Sequence, residues 1–184
     1  NAITNNWTIG ILFRDEQPLG SDTTGTVITN NAIAGNWYGQ IEYRNPSLNP
    51  TTIKDFSGNW FGTATPVVVA TSGGEPGYAA QIPVAFGGSA VPPGGQPDIK
   101  GDASAQFDVT PYLATGTDTD VGNYVGDSNG FQGDFSLLTV TPQLAQTGAI
   151  GRVQEAHARA SGTPVPLLAG NYVEHVVVTK NIEL

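Results

Sequence analysis

Titratable and nucleophilic side chains are few in this chain. It has two histidines, His157 and His175, together with 16 Asp or Glu and no Cys. A cysteine nucleophile, a zinc–thiolate site and a disulfide scaffold are therefore excluded. Acyl transfer by a Ser–His–Asp triad needs a nucleophile, a base and an acid that orients the base. No Gly-x-Ser-x-Gly elbow, His-x-x-x-His pair or Walker loop supports such chemistry here. Glycoside cleavage needs two carboxylates about 5–10 Å apart, and no acid sits in a telling local context. Asp118-Thr119-Asp120-Val121-Gly122-Asn123, followed by Asp127-Ser128-Asn129-Gly130, sets Asp and Asn at alternate loop positions. Ca²⁺ takes six to eight oxygens, and such spacing presents them on one side of a turn. Asp118, Asp120 and Asp127 are thus candidate calcium ligands, although no Glu closes an EF-hand loop. The same residues also favour turns for backbone reasons alone. Trp37 and Trp60, with Tyr38 and Phe61 beside them, are candidate ligand-facing aromatics for stacking on a sugar. Adjacent residues of a strand face opposite ways, so core packing competes for one of each pair.

The elements that would carry these groups are strands. The chain has 184 residues, 24 Gly, 13 Pro and a net charge of −9, with only 12% charged residues. Its 7 Lys plus Arg are too few and scattered to neutralise a phosphate backbone, so a nucleic-acid partner is not expected. The composition lacks the Ala/Glu/Lys/Leu periodicity of a helical bundle. With 39% hydrophobic residues it is too apolar for disorder. No run of about 18 apolar residues is present, so no transmembrane helix is expected. The first residue is Asn1, which reads as a mature, secreted chain whose signal segment has been removed.

From Ile3 to Phe13, odd positions carry Ile3, Asn5, Trp7, Ile9, Ile11 and Phe13, and even positions are mostly small or polar. This period-two alternation predicts a long half-buried strand. Gly35-Asn36-Trp37-Tyr38-Gly39 recurs as Gly58-Asn59-Trp60-Phe61-Gly62, 23 residues later, and predicts two similar strand starts. Asn45-Pro46-Ser47-Leu48-Asn49-Pro50 between them is turn chemistry. Phe131–Thr141 reads as a strand, and 154–160 as a short helix or strand. Gly170–Lys180 reads as a central strand, apolar on both faces. Short strands separated by Gly/Pro loops predict an all-β, single-domain sandwich of jelly-roll or Ig-like type. Residues 1–13 would form an extended N-terminal arm, and residues 14–184 the sandwich.

Gly170-Asn171-Tyr172-Val173-Glu174-His175-Val176-Val177-Val178-Thr179 resembles the last strand of fimbrial subunits of the spore-coat-protein-U-like, archaic chaperone–usher group. Gly148-Ala149-Ile150-Gly151-Arg152-Val153 resembles the Gly-Arg strand that precedes it there. This chain has no Cys pair, and Asn181 to Leu184 extend beyond Lys180. TasA-like matrix fibres, which need no Cys, are a second comparison. Either resemblance implies donor-strand exchange, and the first implies a periplasmic chaperone and usher as partners. The pattern of residues 1–13 supports exchange independently. A neighbour's groove would take Ile3, Trp7, Ile9, Ile11 and Phe13 in pockets, with Asn5 at a polar position. At roughly 1.5–3 kcal/mol each, five such side chains give on the order of 10 kcal/mol before ordering costs. Head-to-tail repetition without closure makes a fibre. The alternative is that residues 1–13 are the first strand of their own sheet.

The expected function is a non-enzymatic, secreted subunit of a pilus or biofilm-matrix filament, a homopolymer built by donating the N-terminal strand. The rival expectation is a secreted carbohydrate-binding β-sandwich, with calcium as its only candidate cofactor.

Overall fold

The computed structural model describes residues 1–6, 9–14, 26–44, 53–69, 98–101, 107–120, 130–142, 146, 149–162, 164–181 and 183. The described chain is mostly short strands with one short helix, as an all-β class requires. Its strands are β1 (Ala2–Thr4), β2 (Ile9–Arg14), β3 (Ala32–Ala34), β4 (Gly39–Arg44), β5 (Lys54–Asp55), β6 (Val68–Val69), β7 (Ile99–Gly101), β8 (Phe107–Asp108), β9 (Tyr112–Leu113) and β10 (Leu138–Thr139). The helix, α1, is Arg152–Arg159.

The pairing is mainly parallel. β1 pairs with β3, β2 with β4, β4 with β7, β6 with β7, and β5 with β8, all parallel; β9 and β10 are antiparallel. A jelly roll or Ig-like sandwich joins neighbouring strands by hairpins, which makes them antiparallel. Here the chain instead passes around and returns to lie beside itself in the same direction.

The register explains why. Ala2 faces Ala32, Ile3 faces Ile33 and Thr4 faces Ala34, an offset of 30 residues. Ile9 faces Gly39, Ile11 faces Ile41 and Phe13 faces Tyr43, with the same offset. The sequence carries that period: residues 1–14 and 31–44 share Asn, Ala, Ile, Asn, Trp, Ile and Arg at positions 1, 2, 3, 6, 7, 11 and 14 of each copy. Ala2 and Ala32, Ile3 and Ile33, and Ile11 and Ile41 are therefore identical residues set one pass above the other.

The corners repeat as well. Asn5 and Gly35 occupy equivalent positions and both have positive φ, 57° and 65°. Asn30 and Gly58 do the same at a second corner, with φ of 57° and 71°, and the Asn30 N–H donates to Gly58 O. Asn and Gly are the residues that enter this left-handed region cheaply. A Cβ on Gly35 would also lie only 2.6 Å from the Asn5 carboxamide oxygen.

The inward side chains of these passes form the main core: Phe13, Ile33, Ile41, Phe56, Phe61, Ile99, Phe107, Val109 and Tyr112. Phe56 sits between Phe13 and Phe107, with ring centroids 5.2 Å from each. A second cluster holds α1 against the stack through Val153, Ala156 and Ala160, which meet Leu113, Leu138 and Val140. On the sheet face opposite the core, Glu42 lies in register with Lys100, an opposite-charge cross-strand pair.

Candidate functional site

Two neighbouring rows of amides run along the stack. In the first, Asn6 Nδ2 donates to Asn36 Oδ1 at 2.8 Å. Asn36 Nδ2 donates to Ile3 O and to Gln40 Oε1, each at 2.9 Å. Gln40 Nε2 then donates to Asp98 Oδ1 at 3.3 Å. In the second row, Asn1 Nδ2 donates to Asn31 Oδ1, and Asn31 Nδ2 donates to Asn59 Oδ1, both at 3.0 Å. Asn59 Nδ2 donates to Ile28 O and Phe56 O at 2.6 Å. A carboxamide suits this task because it donates and accepts in opposite directions, so each pass supplies what the next one needs. The Gly-Asn-Trp echo marks these rows, but Asn36 belongs to one row and Asn59 to the other.

The N-terminal residues take part in the chain's own sheets. Ile9 and Phe13 are buried, and Ile3 and Ile11 pack half-buried against the main core. Asn5 occupies the exposed corner position. Trp7 lies outside the described residues. In this structure residues 1–6 and 9–13 are thus the first pass of their own stack, and an arm free for a neighbour would first have to leave it.

That first pass is less covered than the second. Ile33, Ile41 and Phe56 are 0% exposed, whereas their neighbours Ile3, Ile11 and Ile28 are only partly buried. Leu12, on the opposite face of β2 from Ile11, is 44% exposed. β2 is also the terminal strand of its four-stranded sheet, in the order β2-β4-β7-β6.

The C-terminal segment departs from the expectation of a central strand. Residues 171–179 join no ladder and lie along α1. Side chains hold them there. The Glu174 carboxylate accepts from the Val153 and Gln154 amides at 3.1 and 3.0 Å. This satisfies two free N–H groups of the first turn and places negative charge at the positive end of the helix dipole. Gln154 Oε1 accepts from Val177 N at 2.7 Å, and His157 Nε2 accepts from Thr179 N at 3.1 Å. Lys180 donates to the carbonyls of Ala158 and Ala160 at the other end of the helix. The segment suits a helix better than a sheet because Glu174 and Lys180 are spaced to cap both ends. Their charges match its dipole.

The remaining candidates are separated. Trp37 is 6% exposed and packs with Tyr38 and Ile9. Trp60 is half-buried against the second cluster. Asp118 Oδ1 accepts from the Asp120 and Gln132 amides, closing a turn. Asp120 is exposed, and Asp127 lies outside the described residues. Among the described residues no three His, Asp or Glu side chains gather as a metal site. His175 is exposed, and His157 is buried with its ring on Thr179 N. Among the described residues no helix is long and apolar enough to cross a membrane.

Two carboxyls are perturbed in the same direction. Burial pushes Glu155 above its ordinary value, against hydrogen bonds from Gln146 and the nearby Arg159 charge. Burial also raises Asp98, opposed by its hydrogen bonds from Val67 N and Gln40. A carboxyl raised in the folded state costs nothing while both states are protonated. It costs stability as pH climbs past the unfolded value, which for Glu is 4.5. The contribution of these groups should therefore lower the melting temperature as pH rises past their unfolded values, 3.8 for Asp98 and 4.5 for Glu155, and the loss is complete once each is ionised in the folded chain. Glu155→Gln should flatten that fall, measured by thermal melts across the range. An unchanged slope would show that Glu155 is not responsible.

Sequence inspection missed the 30-residue period, whose signal is the match of residues 1–14 to 31–44. It also missed Glu174 as a helix cap, which no local motif announces because the two residues it caps lie 20 and 21 positions away. Comparison with protein-family models, curated proteins and solved structures finds no match to this chain.

Proposed function

We propose that this chain is a non-enzymatic structural subunit of an extracellular filament, assembling with further copies of itself. The observation that supports this best is the coincidence of two periods. A 30-residue sequence repeat stacks on itself with a 30-residue register in both β1–β3 and β2–β4. Such a stack is quasi-one-dimensional, each pass touching only its neighbours, and its ends are where growth continues. In this reading the architecture is a short pile of parallel coils, in place of the jelly-roll or Ig-like sandwich.

The polar groups add support. Glu174 serves α1, His157 serves the C-terminal segment, Asp118 closes a turn, and the buried amides join one pass to the next. These are tasks of cohesion. The sparse charge, and the absence of both Cys and Met, suit a tightly packed assembly exposed to oxidants outside the cell.

Assembly would use residues 1–13 in place, because donating them would break two ladders and uncover Ile33 and Ile41. A chaperone–usher partner belongs to the donation scheme and is not needed when the subunit is complete. Electron microscopy and sedimentation of the purified chain at rising concentration test the reading. Unbranched filaments above a threshold concentration are expected. A monodisperse monomer at every concentration would overturn it.

A further inference from the structure

Two surfaces of this chain carry strand character and are open on one side among the described residues. The first is the outer edge of β2, the last strand of its sheet, with Leu12 exposed and Ile11 incompletely covered. The second is the segment 172–178. Its side chains alternate: Tyr172, Glu174 and Val176 are half-buried, while Val173, His175 and Val177 are exposed. That is strand periodicity without a sheet. Val173 is 99% exposed, Val178 59% and Val177 51%, and Ile150 beside them is 50% exposed. Ile150, Val173 and Val177 are among the residues that line a groove of about 760 Å³. The backbone N–H groups of Val173, His175 and Val176 find no acceptor among the described residues.

We propose that the 172–178 segment of one copy adds as a strand to the outer edge of β2 in a second copy. This rests on the filament reading and names its contact. Unpaired strand edges recruit strands, and main-chain hydrogen bonds supply the affinity. The occupant is a second copy for electrostatic reasons. A chain of net charge −9 repels itself, and these are stretches where that repulsion is small. Ile9–Arg14 contains one charged residue, Arg14, which is cationic. In 172–178 the only carboxylate, Glu174, is already engaged by the first amides of α1. The added strand also continues a sheet that already exists. Edge and strand are different surfaces, so the contact is heterologous and propagates as a filament when its rotation does not close a ring.

The absence of Cys gives a clean test. Leu12→Cys and Val177→Cys are prepared as separate full-length proteins, mixed under filament-forming conditions and oxidised. Both sites are exposed, so neither variant should disturb the fold. A disulfide requires Cα atoms within about 7 Å. The mixed 12–177 dimer should exceed either homodimer by about tenfold. A dominant 12–12 dimer would mean symmetric edge pairing and would overturn the proposal. As a second measurement, Val173→Lys with Val177→Lys should raise the threshold concentration for filaments at least tenfold, because edge lysines block strand addition. Filaments unchanged by these lysines would overturn the contact but leave the filament reading standing. Wild-type protein that never assembles would overturn both.

Discussion

Removal of residues 1–13 should unfold the chain. If these residues were a spare arm, the truncated chain would stay folded and lose only its ability to polymerise. In the structure they supply β1 and most of β2, bury Ile9 and Phe13, and cover Ile33 and Ile41. Phe13 also packs on Phe56. Loss of the four apolar side chains Ile3, Ile9, Ile11 and Phe13 forfeits roughly 5–10 kcal/mol. That is comparable to the whole stability of an ordinary domain, about 5–15 kcal/mol. It also strands acceptors and donors that Asn1, Asn5 and Asn6 satisfy on the second pass. The truncated chain should show no cooperative thermal transition and rapid proteolysis throughout. A cooperative melt close to that of the full chain would mean that residues 1–13 are dispensable for the fold, and would restore the free-arm reading.

Asn59→Ala should be the most damaging single polar substitution. Asn59 is 0% exposed, and its carboxamide makes four hydrogen bonds. Its oxygen accepts from the Asn31 backbone N–H and side chain, and its nitrogen serves the carbonyls of Ile28 and Phe56. Truncation leaves these partners facing a small void, and each buried unsatisfied group costs about 1–3 kcal/mol. Allowing for water entering the gap, the expected loss is about 3 kcal/mol or more. For a chain of this size that lowers the melting temperature by roughly 6–12 °C. Asn59→Asp keeps the acceptor and loses both donors, so it should fall between wild type and Asn59→Ala only at low pH, where its carboxyl is protonated. A loss below about 1 kcal/mol for Asn59→Ala would show that the amide row is not a principal tie between passes.

Strand identity in the N-terminal third was legible because alternation is a local property. The Ile3–Phe13 pattern predicts one long strand; the structure divides it at the Asn5 corner into β1 and β2, with Ile3, Ile9, Ile11 and Phe13 facing the interior. The helix candidate at 154–160 appears as Arg152–Arg159. Strand partners were not legible, because a period of two is the same in a parallel and an antiparallel ladder. The Gly-Asn-Trp echo at a spacing of 23 was misleading for a physical reason. Gly35 and Gly58 both turn corners with positive φ, and a shared local conformation selects similar residues. The register follows the longer match, which pairs residues 2–4, 9 and 11–14 with their counterparts 30 positions on.

The C-terminal segment marks the other limit. Its alternation reads as a buried strand, yet it packs against a helix. Period two describes which side chains share a face and says nothing about what that face meets. Glu174 and Lys180 find the ends of α1 only once the helix exists and lies beside them.

By itself the sequence determined three things: strands as the main element, an interior free of thiol chemistry, and the 30-residue period that sets the first ladder. Each follows from residue type or spacing along one chain. The tertiary structure alone decided that the passes run parallel, that Ile3, Ile9, Ile11 and Phe13 pack on their own chain's core, and that Trp37 is buried while Val173 is bare. Those outcomes depend on which apolar surface covers which, and that is a property of segments far apart in sequence brought together by burial.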